Sequence, residues 1–288
     1  YWAASPLVAP YLLHRGLTRG KYRQSAPAML GLGAAWKNGA SYPEGTLWAH
    51  AVSAGEVVAA KAAAPLLAEA YPQWPLVAST VTETGQAAAR RMLVEARETF
   101  YFPADFSWNV RRFLRRFNPR IVALFEAELW PNFLIHASNA GAAIFLLNGR
   151  VSVRSHRRYM RFRQWIAPPI RRISAFCMQS QGDAARMAEI LGGDRAIHVT
   201  GDCKFDVDFP VLAPPERARW REELGLDESR PVLVAGSTHP GEEETILAAF
   251  EEARRAVPDA ALIPCPRHPE RFGEAAALLE RRGLRTRR

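Results

Sequence analysis

Short, continuous apolar runs alternate along the chain with stretches of helical period. The runs predict six buried strands, at residues 46–52, 76–80, 121–125, 143–147, 173–178 and 197–200. Helical patterns follow four of them, at residues 55–70, 84–97, 131–139 and 182–191. Apolar strands that do not alternate with polar residues, and that are separated by helices, indicate a parallel sheet covered on both faces. We therefore expect a doubly wound α/β fold.

The pattern breaks after Gly201 and then restarts. A segment rich in Pro and Asp follows, and a second series of helices and strands is predicted at residues 215–224, 231–237, 240–257, 261–265 and 270–282. This organisation predicts four parts: a segment at 1–24, an N-terminal Rossmann-like domain at 25–205, a linker at 206–225 and the start of a second α/β domain at 226–288.

Composition supports a folded protein with an anionic partner. Of the 288 residues, 48% are hydrophobic and 23% charged, which excludes wholesale disorder, and the formal net charge is +9. Nucleic acid, an anionic membrane or a phosphorylated substrate would each complement that charge. The three cysteines are far apart and form no CxxC pair, which argues against disulfides and a zinc site.

The N-terminal segment has two open interpretations. Residues 1–13 are apolar but contain two prolines, and four basic residues follow by position 23. The run is too short to span a bilayer, but it suits the surface of an anionic leaflet. A buried N-terminal helix explains it equally well. Because the chain begins without Met and stops at Arg288, we expect it to be part of a longer protein.

Candidate chemistry lies where the predicted strands end, because ligands of open α/β sheets bind there. Ser53, Gly55 and Glu56 follow the first strand. Ser53 and Glu56 have the spacing of a capping box, in which the glutamate is structural. Beside a glycine that admits a ligand closely, the same glutamate is also well placed to act as a general base. Both roles remain open at this point.

Further polar groups follow later strands of the first domain. Glu126 and Glu128 flank one alanine, and on a strand they would share a face and raise at least one pKa. Arg150 follows the next strand, in a segment suited to carboxylate or phosphate recognition. Lys204 lies at the predicted domain junction, where a cation could stabilise phosphate charge. The Asp-Val-Asp sequence at 206–208 is interpreted as structural, not as a metal site.

The second domain has two comparable strand ends. Ser237 and His239 follow one strand, and Pro266 and Arg267 end the next, so both segments are candidate anion cradles. The GxGxxG, GKS/T, HExxH and GxSxG motifs are absent from the sequence, which argues against the simplest dehydrogenase, NTPase, zinc protease and serine hydrolase assignments.

Taken in order, these segments resemble the motifs of the bacterial Kdo (3-deoxy-D-manno-octulosonic acid) transferases. The motifs are SxGE from Ser53, ExELWPN from Glu126, NxRxSxRS from Asn148, TGxxKFD from Thr200, STHxGEE from Ser237 and PRHPERF from Pro266. Each is weak alone, but six in register are specific.

The resemblance implies a GT-B fold, with two Rossmann-like domains facing a cleft. It implies that Glu56 is the proton acceptor and that Glu126 and Lys204 stabilise the transition state. It further implies that Pro266 and Arg267 bind CMP. Ser53, Gly55, Arg150, Ser237 and His239 are further candidates for substrate contact.

By the same resemblance, Kdo passes with inversion from CMP-Kdo to a lipid A precursor, lipid IVA, during lipopolysaccharide synthesis. The implied partners are these substrates and the anionic cytoplasmic face of the inner membrane, with no metal, other cofactor or nucleic acid. The family's remaining nucleotide-binding motifs should lie beyond Arg288, so this chain alone would lack half of the donor site. A nucleotide-sugar 2-epimerase is the alternative enzyme, and a non-enzymatic RNA- or lipid-binding module is the alternative class.

Overall fold

The computed structural model describes residues 25–32, 40–126, 129–193, 195–207 and 211–286. The predicted membrane-proximal segment at 1–24, Glu128 and Asp208 lie outside these residues. The chain forms two compact units that divide between residues 208 and 209. None of the helices in the described ranges is both long enough and apolar enough to cross a membrane.

The first unit is built on a seven-stranded parallel sheet in the order β3-β2-β1-β4-β5-β6-β7. Its strands are β1 Thr46–His50, β2 Leu76–Thr80, β3 Glu98–Tyr101, β4 Pro119–Phe125, β5 Ala143–Gly149, β6 Ala175–Met178 and β7 Ile197–Val199. The chain first builds outward from β1 to β3 and then returns to β4 on the other side of β1. The predicted doubly wound α/β class is confirmed.

Helices cover both faces of this sheet. They are α1 Ser25–Met29, α2 Ala54–Ala70, α3 Glu83–Met92, α4 Ser107–Phe117, α5 Pro131–Asn139, α6 Val153–Arg161, α7 Arg163–Ile170 and α8 Gln181–Leu191. Helices α2 and α3 form one hydrophobic core with the sheet. Helices α4, α5, α7 and α8 contribute to the other. The central strands are buried on both sides, which explains why their sequences read as unbroken apolar runs.

Trp48 is the centre of the second core. Its ring is 1% exposed and makes edge contacts of 5.1–6.1 Å between centroids with four phenylalanines, Phe100, Phe102, Phe117 and Phe133. The indole Nε1 donates a 2.7 Å hydrogen bond to Ser79 Oγ on β2. The N–H group of a buried tryptophan needs a hydrogen-bond partner, so this bond allows the large Trp48 side chain to be buried in the core.

The second unit has two parallel strands, β8 Val232–Thr238 and β9 Ala261–Pro266. Its helices are α9 Pro214–Glu223, α10 Glu242–Ala256 and α11 Phe272–Arg281, the last preceded by a 3-10 turn at Pro269–Arg271. Each of the five elements predicted for this region is present, with ends shifted by a few residues.

Five helices and strands of the first unit were not predicted, the first of which is the short helix α1. Helix α3 ends at Met92, well before the expected residue 97, and the short strand β3 follows. Helices α4, α6 and α7 were also missed. Strand β3 is only half-buried at the edge of the sheet, and α6 has no buried residue, so neither has a strong hydrophobic pattern.

His50, the last residue of β1, is a fully buried neutral imidazole. Burial lowers its pKa from 6.5 to about 3, opposed by the hydrogen bond that Nδ1 donates to the Ser79 carbonyl oxygen at 3.2 Å. Its Nδ1 lies 2.9 Å from Ser79 Oγ, and the ring stacks on Phe102 at 3.9 Å. Below pH 6.5 the His50 imidazole therefore binds a proton in the unfolded chain but not in the folded chain. Stability from this residue falls as the pH drops toward 3.

We predict that His50→Gln flattens the acid side of the stability profile. Glutamine can offer its amide to Ser79 but does not titrate. The free energy of unfolding of the wild type should fall about 1.4 kcal/mol more steeply per pH unit below pH 6.5 than that of the variant. Urea denaturation across a pH series measures both slopes. Parallel curves for the two proteins would contradict the assignment.

Candidate functional site

The first unit has its topological switch point between β1 and β4, the neighbouring strands from which the chain builds in opposite directions. Loops that leave two such strands diverge and open a crevice at their carboxyl ends, which is the usual ligand site of open α/β sheets. Glu56 follows β1 and Glu126 follows β4. Two candidate residues predicted far apart in sequence are therefore brought to one edge of the sheet.

Glu56 lies in the first turn of α2 and is 9% exposed. Its Oε2 accepts a 2.7 Å hydrogen bond from the Val52 N–H, and its Oε1 accepts one of 3.2 Å from the Ser53 hydroxyl. The expected capping box is therefore wrong in detail. Ser53 donates to the glutamate and makes no side-chain cap, and the glutamate reaches one residue beyond the N-cap. These bonds fix the direction of the carboxylate.

Gly55 is exposed beside this carboxylate. A Cβ built on it would meet only Ser53 Oγ, at 3.9 Å, so there is room for a substituent or a ligand to approach. The first turn of α2 also directs backbone N–H groups toward its N-terminal end. The geometry is therefore compatible with a bound polar molecule next to Glu56.

Glu126 and Lys204 form an ion pair between segments 78 residues apart. Lys204 Nζ lies 2.6 Å from Glu126 Oε1, and both side chains are part-buried. Glu126 does not continue the strand as expected, because its φ of 63° turns the backbone into the left-handed region. Such a conformation is strained for a non-glycine residue and is common at functional sites.

Asn148 connects the turn that carries Lys204 to the sheet. It is fully buried at the end of β5 with φ 54°, and its Oδ1 accepts a 3.0 Å hydrogen bond from the Cys203 N–H. Cys203 begins a 3-10 turn, Cys203–Asp206, which also contacts helix α2. The Asn148 Nδ2 is buried without a partner among the described residues. The 3-10 turn therefore carries Lys204, the partner of Glu126, and packs it close to α2, the helix that begins beside Glu56.

Arg150, two residues after Asn148, is exposed at the same edge of the sheet. It follows β5, the neighbour of β4, so the sheet brings it to the same side as Glu126. Its guanidinium makes no hydrogen bond or ion pair with the described part of the chain. A cation at this position is available to an anionic ligand.

Asp105 is a structural residue that the sequence analysis missed. Its carboxylate accepts hydrogen bonds from the N–H groups of Phe133 at 2.8 Å and Asn132 at 3.1 Å, and so caps α5, whose own N-cap residue, Trp130, provides no side-chain cap. Burial raises the Asp105 pKa to about 6, opposed by these hydrogen bonds. The sequence offered one signal of this role: Trp130, the residue before Pro131, cannot cap the helix with its side chain, so a cap from elsewhere in the chain was needed. The clamp holds the segment that follows Glu126.

In the second unit, an internal ion pair connects the two strand ends. Arg271 donates to both oxygens of the buried Glu243, at 2.9 and 3.1 Å, and this bonding lowers the Glu243 pKa. Thr238 at the end of β8 donates to the same carboxylate at 2.8 Å. The Arg267 N–H donates to the Thr238 carbonyl at 3.0 Å. Glu243 and Arg271 are thus structural members of the last two motifs.

The predicted ligand residues of this unit are exposed around that internal pair. Ser237 has a left-handed φ of 58°, and the His239 and His268 rings lie 6.5 Å apart. Pro266 is buried, but Arg267 is exposed, and its guanidinium makes no hydrogen bond or ion pair with any described residue. The described residues contain no group of three potential metal ligands. The site therefore offers an arginine and two imidazoles to an anion.

Comparisons with known proteins agree on a family. A model of the 3-deoxy-D-manno-octulosonic-acid transferases (kdotransferases) matches residues 22–207. The 3-deoxy-D-manno-octulosonic acid transferase of Bordetella pertussis is 32% identical over 293 residues, which cover 97% of this chain and 65% of the relative. The enzyme of the same name from Haemophilus influenzae is 28% identical, with 96% and 64% covered. The chain spans under two thirds of the length of these relatives.

Solved structures support the fold alone. UDP-GlcNAc 2-epimerase from Neisseria meningitidis matches 83% of this chain and 70% of its own, with a TM-score of 0.57 at 9% identity. A glycosyltransferase from Rickettsia africae matches 84% and 66%, with a TM-score of 0.55 at 12% identity. Both likenesses confirm a Rossmann-like, GT-B-related architecture.

We predict that Asn148 contributes to stability in two separable ways. Asn148→Gly tolerates the positive φ but loses the bond to Cys203, which should cost about 1–3 kcal/mol because a buried N–H is left unpaired. Asn148→Ala adds the strain of a left-handed alanine, about 1–2 kcal/mol more. Denaturant unfolding ranks them, and an alanine variant as stable as the glycine variant would contradict the strain.

Proposed function

This chain belongs to the 3-deoxy-D-manno-octulosonic-acid transferase family, and we propose that it supplies the acceptor-activating residues for transfer of Kdo from CMP-Kdo to a lipid A precursor. The observation that carries the proposal is the convergence of Glu56, Glu126 and Lys204 at the switch point of the first unit. The lipid IVA acceptor, inversion at the anomeric carbon and action at the cytoplasmic face of the inner membrane are parts of this proposal.

Glu56 is proposed to remove the proton from the attacking hydroxyl of the acceptor. A general base must be oriented before its proton arrives, and the Val52 N–H and Ser53 hydroxyl hold this carboxylate in one direction. A carboxylate has about four acceptor sites, so accepting these bonds is compatible with accepting a substrate proton. The acceptor oxygen then bonds to the anomeric carbon from the face opposite the departing CMP.

Lys204 is proposed to stabilise negative charge as the transition state forms. The sugar carries a carboxylate, and the group that departs from it, CMP, carries a phosphate. Negative charge therefore builds up on that phosphate as the sugar is transferred. A lysine ammonium already held by Glu126 at 2.6 Å needs little reorganisation to meet that charge. Glu126 orients the lysine, and its left-handed backbone directs the carboxylate toward the turn that carries it. Arg150 and the hydroxyl of Ser53 are proposed substrate contacts at this edge.

The second unit is proposed to bind the nucleotide through its two strand ends. Arg267, held beside Pro266, is a cation without a partner among the described residues and is suited to the CMP phosphate. Ser237, near the end of β8, and His239, just after it, lie at the neighbouring strand end. The internal ion pair of Glu243 and Arg271 would hold these loops in place without occupying the ligand site. The residues present at these strand ends fit an anion.

We predict that Glu56→Gln lowers Kdo transfer by at least about 10²-fold, because general base catalysis supplies that order of rate. The assay is transfer from CMP-Kdo to lipid A precursor by the full-length protein. Glu69→Gln is the matched control, since Glu69 is an exposed glutamate on the same helix, and it should leave the rate unchanged.

The outcomes separate the possible explanations. A folded Glu56→Gln protein with full activity would reduce Glu56 to a helix-terminal hydrogen-bond acceptor. A folded wild type that transfers no Kdo would reject the proposed reaction, and epimerisation of a nucleotide sugar would be assayed next.

We predict that Arg267→Ala weakens CMP binding roughly tenfold or more, because one charge-assisted phosphate contact is lost. Isothermal titration of the full-length protein with CMP measures the dissociation constant. Arg255→Ala is the control, since Arg255 is exposed on α10 and pairs with the exposed Glu252 on the same helix. Equal affinities for the two variants would place the phosphate elsewhere.

A further inference from the structure

Helix α6 is mostly exposed. None of its residues is fully buried, and Ser155, His156 and Tyr159 are half-buried, although the helix lies between strand β5 and helix α7. An ordinary surface helix turns an apolar stripe into the core, as α4 does with five buried residues. Helix α6 packs Tyr159 against the core but leaves Val153 and Met160 exposed, where they are available to another surface.

Four arginines form one stripe along this helix. They recur at helical spacing, i, i+3, i+4 and i+7, and therefore share a face: Arg154, Arg157, Arg158 and Arg161. All four are exposed. Neither α6 nor α7 contains an acidic residue, and Glu189 of α8 lies 2.9 Å from His156, on the side of α6 away from the stripe. The stripe is thus a concentrated positive charge.

Large apolar side chains stand exposed beside the arginines. Val153 is 57% and Met160 37% exposed on α6, Phe162 is 49% exposed at the junction with α7, and Trp165 is 73% exposed one turn later. The Arg161 guanidinium lies over the Phe162 ring at 5.9 Å, so the aromatic and basic residues are in contact. Exposed aromatics beside arginines are typical of surfaces that enter the headgroup region of a bilayer.

The stripe begins close to the candidate site. Helix α6 starts three residues after Arg150, at the carboxyl edge of the sheet, and nine residues extend about 13 Å. A surface that held this helix would lie near Glu126 and Lys204. An acceptor embedded in that surface could then reach the site without leaving its membrane.

We infer that α6 and the start of α7 form a docking surface for an anionic phospholipid leaflet. Arginines of the stripe contact headgroup phosphates, and Phe162 and Trp165 enter the interfacial region. The inference rests on the proposed lipid acceptor for its purpose, but the surface binds lipid whether or not the transfer reaction is as proposed. A phospholipid leaflet is favoured over a protein partner because the charge of the stripe has one sign and the apolar side chains beside it are exposed, as insertion into the interfacial region requires.

The experiment is flotation of the chain with vesicles of phosphatidylcholine, pure or with about 30% phosphatidylglycerol. The wild type should bind the anionic vesicles and bind them less at high salt. Arg157→Ala/Arg158→Ala should lower the partition coefficient about 25-fold, at about fivefold for each arginine. Trp165→Ala should lower it severalfold on the same vesicles. Because the side chains of Arg157, Arg158 and Trp165 are exposed, each variant should unfold at the wild-type temperature.

Two sets of controls test the location. Trp220 and the arginines of α9 are also exposed, but that helix carries three glutamates, so Trp220→Ala and Arg217→Ala/Arg219→Ala should change binding less than about twofold. Trp108→Ala probes the exposed aromatic of α4. Loss of binding by the Trp108 variant with full binding by both stripe variants would overturn the inference.

A transfer assay in detergent micelles separates this inference from the proposed reaction. Stripe variants of the full-length protein should transfer Kdo to detergent-dispersed acceptor at the wild-type rate and to vesicle-bound acceptor more slowly. If the wild type is inactive in both, the proposed reaction fails while the flotation result stands. If the stripe variants float as the wild type does, the docking surface fails while the reaction stands.

Discussion

The reversal of strand order between β1 and β4 is the constraint on which the candidate site depends. It forces the connections after these two strands to opposite sides, so a crevice stays open at the carboxyl ends of β1 and β4. Glu56 and Glu126 follow those strands directly, and the hydrophobic cores on both faces of the sheet fix where they lie. The chemistry of the site is therefore positioned by burial of residues such as Trp48 that never contact a ligand.

Polar side chains from distant segments then hold the loops that the sheet leaves open. Asn148 holds the turn of Lys204 through a backbone N–H, and Asp105 holds the start of α5 through two. Both are buried, so removing either leaves backbone donors unpaired and costly. Left-handed backbone at Glu126, Asn148 and Ser237 shows that strain is concentrated at strand ends. Three strand ends in two units share this feature.

Periodicity predicted the buried strands well because a fully covered parallel strand has an unmistakable apolar run, as in β2 at Leu76–Thr80. It failed for β3 and α6, whose residues are half-buried or exposed, since burial is the only source of the pattern. Strand-end position identified Glu126 and Lys204 as candidates, but their contact across 78 residues needed the folded chain. The spacing of Ser53 and Glu56 predicted a helix start but not which groups bond.

The hydrogen bonds of Glu56 bear on how one carboxylate could serve both structure and chemistry. A capping glutamate and a catalytic base differ in whether a lone pair can meet the substrate, not in whether the residue is hydrogen-bonded. The hydrogen bonds from Val52 and Ser53 come from the loop just before Glu56, at most four residues away. The start of the helix therefore sets the orientation of the Glu56 carboxylate. A base oriented in advance loses little entropy when the acceptor arrives, which is how positioning accelerates a reaction. The structural role therefore supports the proposed catalytic one.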